Sequence, residues 1–291
     1  MSTRSGIIFG AVMAGLGIWL ILFGLRLIEP GGRLHVPHWA LIPMGLVFGG
    51  VGCFIWFNTW RQQRAERRRE EMLRLHPDEP AFAEYNWNPE GAPCSLRAQA
   101  IRSTCFAIFF ILFLTPINWI VLQQNAPVMM RVIIAIFDLV TVALIWICAL
   151  RWCRVLKFGD AFLRFERFPL RPRESVRLTW ISPEGCRGQA TGSFTLRSIV
   201  EWYETSGRGK SKNTTLVREQ QWASSWRFDT PAEIMAGEHI DLVFNLPPDA
   251  LGTSFFSEKP IFWELEVVIR LPGVDFKDLY LVPIYAQPRS E

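Results

Sequence analysis

Four apolar runs, each about as long as a membrane-crossing helix, fall within the first 156 residues of this 291-residue chain. Crossing a bilayer takes roughly 20 apolar residues at about 1.5 Å per residue. Gly6–Ile28 qualifies, with no charge before Arg26, and Trp39–Trp60 carries none. Thr104–Leu122 is interrupted by Pro116 and Asn118, and Met129–Leu150 holds Arg131 near one end and Asp138 inside. The pattern predicts a four-span membrane domain over 1–156 and a second domain over 157–291. The first run follows Arg4, as in a signal peptide. Its apolar stretch is too long, and no small-x-small cleavage pattern precedes Glu29-Pro-Gly-Gly32, so a retained anchor is expected.

Orientation follows from the loop arginines. Residues 61–103 hold eight, whereas the loops after spans one and three offer little beyond Arg33 and Arg131. The connection between spans two and three is therefore expected in the cytoplasm, with both termini, as in a bacterial inner-membrane protein. Trp39, Trp56, Trp60 and Trp152 fall near span ends, where indoles favour the interface.

The central connection begins with Arg61, Arg64, Arg67, Arg68, Arg69 and Arg74, six arginines against three glutamates. No Gly or Pro occurs between Cys53 and His76, so span two should continue outward as one helix until Pro77 and Pro80 end it. These arginines read as a topological lock at the lipid headgroups; attraction to anionic lipid is the alternative, weakened by the glutamates. Asp78–Pro93 reads as an irregular loop, and Ser95–Arg102 as a short lead-in to span three.

Inside the membrane, small residues recur at four-residue spacing, as Gly6/Gly10, Gly10/Ala14, Ala11/Gly15 and Gly45/Gly49. Such residues let helices approach closely, either as a hairpin of spans one and two or as the seam of a homodimer. Asp138 is a costly intramembrane carboxylate and hence a functional candidate. Its expected partners are Asn118, Arg131, Thr115 and Thr141, and interhelical packing competes with a conduction role. His35 and His38 are two imidazoles where a zinc site wants three or four ligands; no metal or other cofactor is expected.

After Lys157 the pattern changes. Val176/Leu178/Trp180, Phe194/Leu196, Ile240/Leu242/Phe244 and Trp263/Leu265/Val267/Ile269 alternate with polar residues. Period two marks half-buried strands. Runs near 161–168, 214–223 and 276–285 bring the count to about seven, separated by turn signals such as Ser182-Pro-Glu-Gly and Leu271-Pro-Gly. The expected fold class is thus a four-helix transmembrane bundle followed by an antiparallel β-sandwich, its core filled by five tryptophans.

Leu246-Pro-Pro-Asp-Ala250, Trp263-Glu-Leu-Glu-Val267, Leu271-Pro-Gly-Val-Asp-Phe276 and Val282-Pro-Ile284 resemble the end of an arrestin-like sandwich. The whole chain resembles bacterial multi-pass membrane proteins carrying one such domain. The resemblance implies a protein-binding sandwich of a single lobe, without the two-lobed receptor clasp, and transfers no functional residues.

Chemistry is sparse. Residues 1–156 have net charge +5 and residues 157–291 have −1, so no basic face for nucleic acid is expected on the second domain. The six cysteines lack Cys-x-x-Cys spacing and read as reduced structural thiols. No nucleophile elbow, phosphate loop or His-Glu-x-x-His occurs, and His239 is the second domain's only histidine. Arg208, Lys210 and Lys212 form a basic turn that reads as solvated or as a contact with the inner leaflet. The expected function is non-enzymatic: an unidentified protein partner held by the sandwich. A small transport or channel component using Asp138 is the alternative.

Overall fold

Membrane length and helix length coincide in the first unit. The computed structural model describes residues 3–28, 37–77, 79–123, 126–172, 174–206 and 213–286, with side chains omitted for 3–4 and 229–232. Four helices are long and apolar enough to cross a membrane: α1 (Thr3–Gly24), α2 (His38–Leu75), α4 (Leu96–Gln123) and α5 (Val128–Phe158). α2, α4 and α5 each contain an expected span whole, and α1 overlaps the first. α1 stops four residues short of the expected Ile28, at Gly24. Arg26 takes a left-handed φ of 59°, and the Leu27 N–H returns to the Leu22 carbonyl at 3.0 Å, the bond pattern that closes helix ends. α2 runs unbroken to Leu75, as its lack of internal Gly and Pro after Cys53 predicts. The lead-in before span three is not separate, because α4 is one helix from Leu96.

The chain divides into two compact units. Unit one comprises residues 1–67 and 99–150, and unit two residues 68–98 and 151–291. The break therefore differs from the 1–156/157–291 division: much of the central connection belongs with the sandwich. In unit one, large apolar side chains such as Ile8, Leu139 and Trp146 point outward, at 64%, 71% and 65% exposure. An outward apolar surface on such helices suits lipid rather than water.

α1 and α2 meet through glycines, at a period the four-residue pattern only partly captures. Gly10, Gly17 and Gly24 recur every seven residues on α1, and Gly45, Gly52 and Thr59 do so on α2. A Cβ on Gly17 would overlap the Gly49 backbone nitrogen and stand 2.6 Å from the Gly45 carbonyl; one on Gly52 would stand 2.6 Å from the Gly10 carbonyl. Open space surrounds Gly15 and Gly50. A seven-residue repeat keeps one seam in register between supercoiled helices, which explains why these glycines, rather than all small residues, are the close contacts.

Unit two holds two four-stranded antiparallel sheets. Its strands are β1 (Gly91–Pro93), β2 (Phe162–Phe165), β3 (Val176–Ile181), β4 (Gly188–Ser206), β5 (Asn213–Ile234), β6 (His239–Phe244), β7 (Ile261–Arg270) and β8 (Phe276–Val282). One sheet has the order β1-β2-β3-β6, the other β5-β4-β7-β8. All seven expected strands are present; β1 is the eighth. The alternation reads through directly: Trp263, Leu265, Val267 and Ile269 are essentially buried. Trp180 packs on Phe194 and Phe276 with ring centroids 5.4 and 5.6 Å apart. Only Trp180 and Trp263 of the five tryptophans are fully buried; Trp226 is exposed. From β5 the core receives Ile234, with Trp222 and Phe228 packed against it, so five fully buried indoles are not needed to fill it.

The expected irregular loop over Asp78–Pro93 is corrected. Pro80 opens a short helix, α3 (Pro80–Glu84), and β1 pairs with β2 through Gly91↔Arg164, Ala92↔Leu163 and Pro93↔Phe162. Residues 76–95 lie as a strap along the sandwich. His76 stacks on Phe82 at 4.6 Å, and Phe82 meets Phe168 edge-on at 5.1 Å. Trp87 Nε1 donates to the Tyr285 hydroxyl at 3.1 Å. Ser95, just before α4, donates its N–H to Asp278 at 2.9 Å and its hydroxyl to the same carboxylate. Asp278 is 3% exposed, so the strap supplies hydrogen bonds that a buried carboxylate requires. Leu96 and Phe158 join the sandwich core, and Lys157 donates to the Pro272 and Val274 carbonyls at 3.0 and 2.7 Å.

Candidate functional site

Three places expected to matter can be followed residue by residue. In unit one, Asn118 on α4 donates to Asp138 on α5 at 2.7 Å. Among the expected partners the structure thus brings Asn118 to the carboxylate. Thr115 and Thr141 instead donate to the carbonyls one turn back, Ile111 and Phe137. Arg131 stands exposed two turns earlier on α5. Thr104 and Cys148 add a second polar contact between the helices, at 3.1 Å. An amide-to-carboxylate bond and a hydroxyl–thiol contact together tie α4 to α5.

The arginine-rich end of α2 has two characters. Arg61 lies over Phe57 and Arg64 over Trp60, at 5.8 and 5.5 Å, while Arg67 and Arg74 are exposed. Aromatic rings beneath guanidinium groups are the arrangement of an interfacial belt. Arg68 is half-buried and belongs with Arg69 to unit two, where Arg69 stacks 3.7 Å above Phe256. The end of this stretch therefore packs on the sandwich unit.

Arg208, Lys210 and Lys212 lie outside the described residues, as does His35. The flanking residues Ser206 and Asn213 pair at one end of β4 and β5. Lys157 is held at the other end of that sheet, by the β7–β8 turn.

Glu84 on α3 accepts the Phe255 N–H at 3.1 Å. Burial holds its carboxyl above the ordinary range; the Phe255 N–H and the Arg69 charge oppose this. The folded state therefore binds this proton more readily than the unfolded one. The stability gained through that proton is full below the ordinary carboxylate value and is lost as pH rises through the raised one. Backbone exchange at Ala81–Tyr85, corrected for intrinsic rate, is expected to be slower at pH 5 than at pH 7. Glu84→Gln should remove that difference; an unchanged difference would contradict this reading.

Two thiols are chemically quiet. Burial, reinforced by Asp278, pushes Cys94 up to about 12, and burial pushes Cys186 up to about 12 against the opposing charge of Lys157. The thiolate is the nucleophile. Alkylation of Cys94 and Cys186 at neutral pH is expected to be at least tenfold slower than that of exposed Cys153, on the order set by thiolate fraction and access. Mass-spectrometric readout of labelled peptides checks this, and equal rates would overturn it.

A cleft of about 740 Å³ is lined by Glu79, Glu166, Arg167, Arg171, Glu174 and Arg177 among others. Its charges pair off as Arg167–Glu174, Arg171–Glu79 and Arg177–Glu166, at 3.4, 3.4 and 3.6 Å. Among the described residues, no three His, Cys, Asp or Glu side chains are grouped to hold a metal ion.

Sequence reasoning missed the edge formed by β5, a 22-residue strand that pairs, among the described residues, with β4 alone. Beyond Val200↔Ile261, where β7 ends, β4 and β5 project as a two-stranded arm. Tyr203 and Leu216 pair across the arm at 74% and 46% exposure. Bulges interrupt the β4–β5 register between Ala190 and Gly192 and between Ser198 and Ile199. Bulges blunt an edge, and its longest regular run is Asn213–Gln220.

No family model and no curated protein matches the chain. Among solved structures it is similar to Spo0M, a sporulation control protein from Bacillus subtilis, at 17% identity and a TM-score of 0.31. The match covers 44% of this chain and 49% of that one, so this chain spans about half the length of the protein it matches. A likeness this distant bears on neither activity nor partner.

Proposed function

We propose that the protein is a non-enzymatic integral membrane protein whose helices tether a cytoplasmic, arrestin-like sandwich that binds a protein partner at a bacterial inner membrane. The observation that carries this reading is the free edge of β5 with its exposed Tyr203–Leu216 pair. An extended partner segment can add to such an edge through main-chain hydrogen bonds, with side chains beside it supplying selectivity. The loop arginines support the cytoplasmic side.

A photo-crosslinking residue at Thr215, in the full chain in native membranes, tests this. The expected result is a discrete protein adduct, lost when Tyr203→Ser and Leu216→Ser are combined. The same adduct from Leu279, on the opposite edge strand, would contradict it.

Transport through Asp138 is the second reading, kept because an intramembrane carboxylate invites it. The Asn118 bond favours a packing role. Asp138→Asn is expected to leave folding and adduct formation intact, whereas Asp138→Leu should loosen α4 from α5 by about 1 kcal/mol, measured by unfolding in mild detergent. A transport or growth defect in Asp138→Asn with adduct formation unaltered would favour the second reading. Close packing of α1 on α2 occupies the seven-residue glycine seam within one chain, so a homodimer would draw on the open Gly15 and Gly50 positions.

A further inference from the structure

The outer face of the sheet β5-β4-β7-β8 is divided by charge. In one half every basic residue has a carboxylate. Arg197 pairs with Glu264 and Glu266, Arg218 with Glu201 and Glu264, and Lys277 with Glu266. In the other half, Arg227 and Arg270 have no ion pair among the described residues. They line a bowl of about 260 Å³ with Thr191, Gly192, Ser193 and Val268.

The strand register builds this bowl. Ser193 on β4 pairs with Arg227 on β5 and with Val268 on β7, and Thr191 pairs with Arg270. The two arginines thus flank one central strand, about 10 Å apart across the sheet and about 7 Å along it. Both arginines and both hydroxyl residues line the same bowl. Planar guanidinium forks with hydroxyl donors between them match an oxyanion, phosphate best of all.

We propose that Arg227 and Arg270, with the Thr191 and Ser193 hydroxyls, bind a phosphate group, and that anionic phospholipid supplies it. The place in the fold argues for that source. Arg270 directly precedes the β7–β8 turn, whose Pro272 and Val274 carbonyls hold Lys157. Lys157 follows Leu150, the end of the apolar run, by seven residues on the unbroken α5. The basic turn read as solvated or as a leaflet contact is approached through Ser206, roughly 45 Å along β4 from this bowl. This inference does not depend on the β5 edge or on its partner.

Native mass spectrometry of the detergent-purified full chain tests it, with phosphatidic acid, phosphatidylglycerol or phosphatidylcholine added, together with calorimetric titration of inorganic phosphate. Anionic lipid is expected to be retained in preference to phosphatidylcholine. Arg227→Gln with Arg270→Gln should weaken that retention at least tenfold at unchanged melting temperature, and Arg→Lys at both positions should restore part of it. Lipid should also slow backbone exchange at Thr191–Ser193 in the unaltered protein. Inorganic phosphate binding as tightly as lipid, and lost in the double variant, would keep the site but assign its ligand to solution. Unaltered binding of both in a folded double variant, or no exchange protection at Thr191–Ser193 with either ligand, would overturn the proposal.

Discussion

Expressed alone, residues 157–291 are expected to be unfolded or molten, although they contain seven of the eight strands. The sandwich is discontinuous in sequence. Cutting before Lys157 removes β1, which covers one edge of β2, and removes Leu96 from the core. It also strips Asp278 of both hydrogen bonds from Ser95 while leaving the carboxylate inside. An unsatisfied buried charged group costs about 3 kcal/mol or more, and the lost Leu96 burial about 2 kcal/mol. Small domains hold only about 5–15 kcal/mol in total. A fusion that joins residues 76–98 to 151–291 by a flexible linker should recover a cooperative unfolding transition and dispersed NMR spectra. In that fusion Ser95→Ala should cost about 1.5–3 kcal/mol, the worth of the hydroxyl bond to the carboxylate, because the backbone N–H of residue 95 still reaches Asp278. A 157–291 fragment that melts cooperatively at the same temperature as the fusion would contradict this reading of the strap.

The second large effect is expected at the glycine seam. Gly17→Leu or Gly52→Leu places side-chain atoms where the neighbouring helix has backbone, and backbone cannot step aside as a flexible side chain does. Overpacking of this kind costs about 3 kcal/mol where the helices must separate. Loss of α1–α2 proximity, measured by spin labels near Ile8 and Ile55, is the expected result. Gly15→Leu, which enters open space, should leave that distance unchanged. The reverse order of sensitivity would mean that the seam is misassigned.

The spans were legible because hydropathy acts over some twenty residues at once, and most strands because alternation is a direct record of one buried face. The shorter features escaped for specific reasons. Gly91-Ala-Pro93 is three residues long and has no room to alternate, and its pairing with Phe162–Arg164 is decided by tertiary packing. The glycine seam was visible as a seven-residue spacing but was read at four, since both place small residues on a similar helix face. Asn118 was a foreseeable partner for Asp138; the choice among Asn118, Arg131 and the threonines required the packing of α4 on α5. Asp278 carried an unread signal. It shares the period-two face of Phe276, Tyr280 and Val282, where a carboxylate demands a partner. Ser95 ahead of the apolar α4 carried the complementary one, as a helix-capping residue type. The run near 214–223 was legible as a strand, but its extent to Ile234 and its edge position were not, because Pro231 interrupts the pattern and edge position is set by tertiary pairing.

The most direct test of the account is which side of the membrane the strap and the C-terminal strands occupy. Residues 76–95 and 162–286 build one sandwich, so they must share a side, with α4 and α5 crossing as a pair between them. Single cysteines at Asn86, Gln124 and Ala286, in a background without the natural six, are to be labelled in intact cells with an impermeant maleimide. Labelling is expected at 124 alone, with 86 and 286 reacting only after the cells are opened. Labelling of 86 and 286 from opposite sides would contradict it.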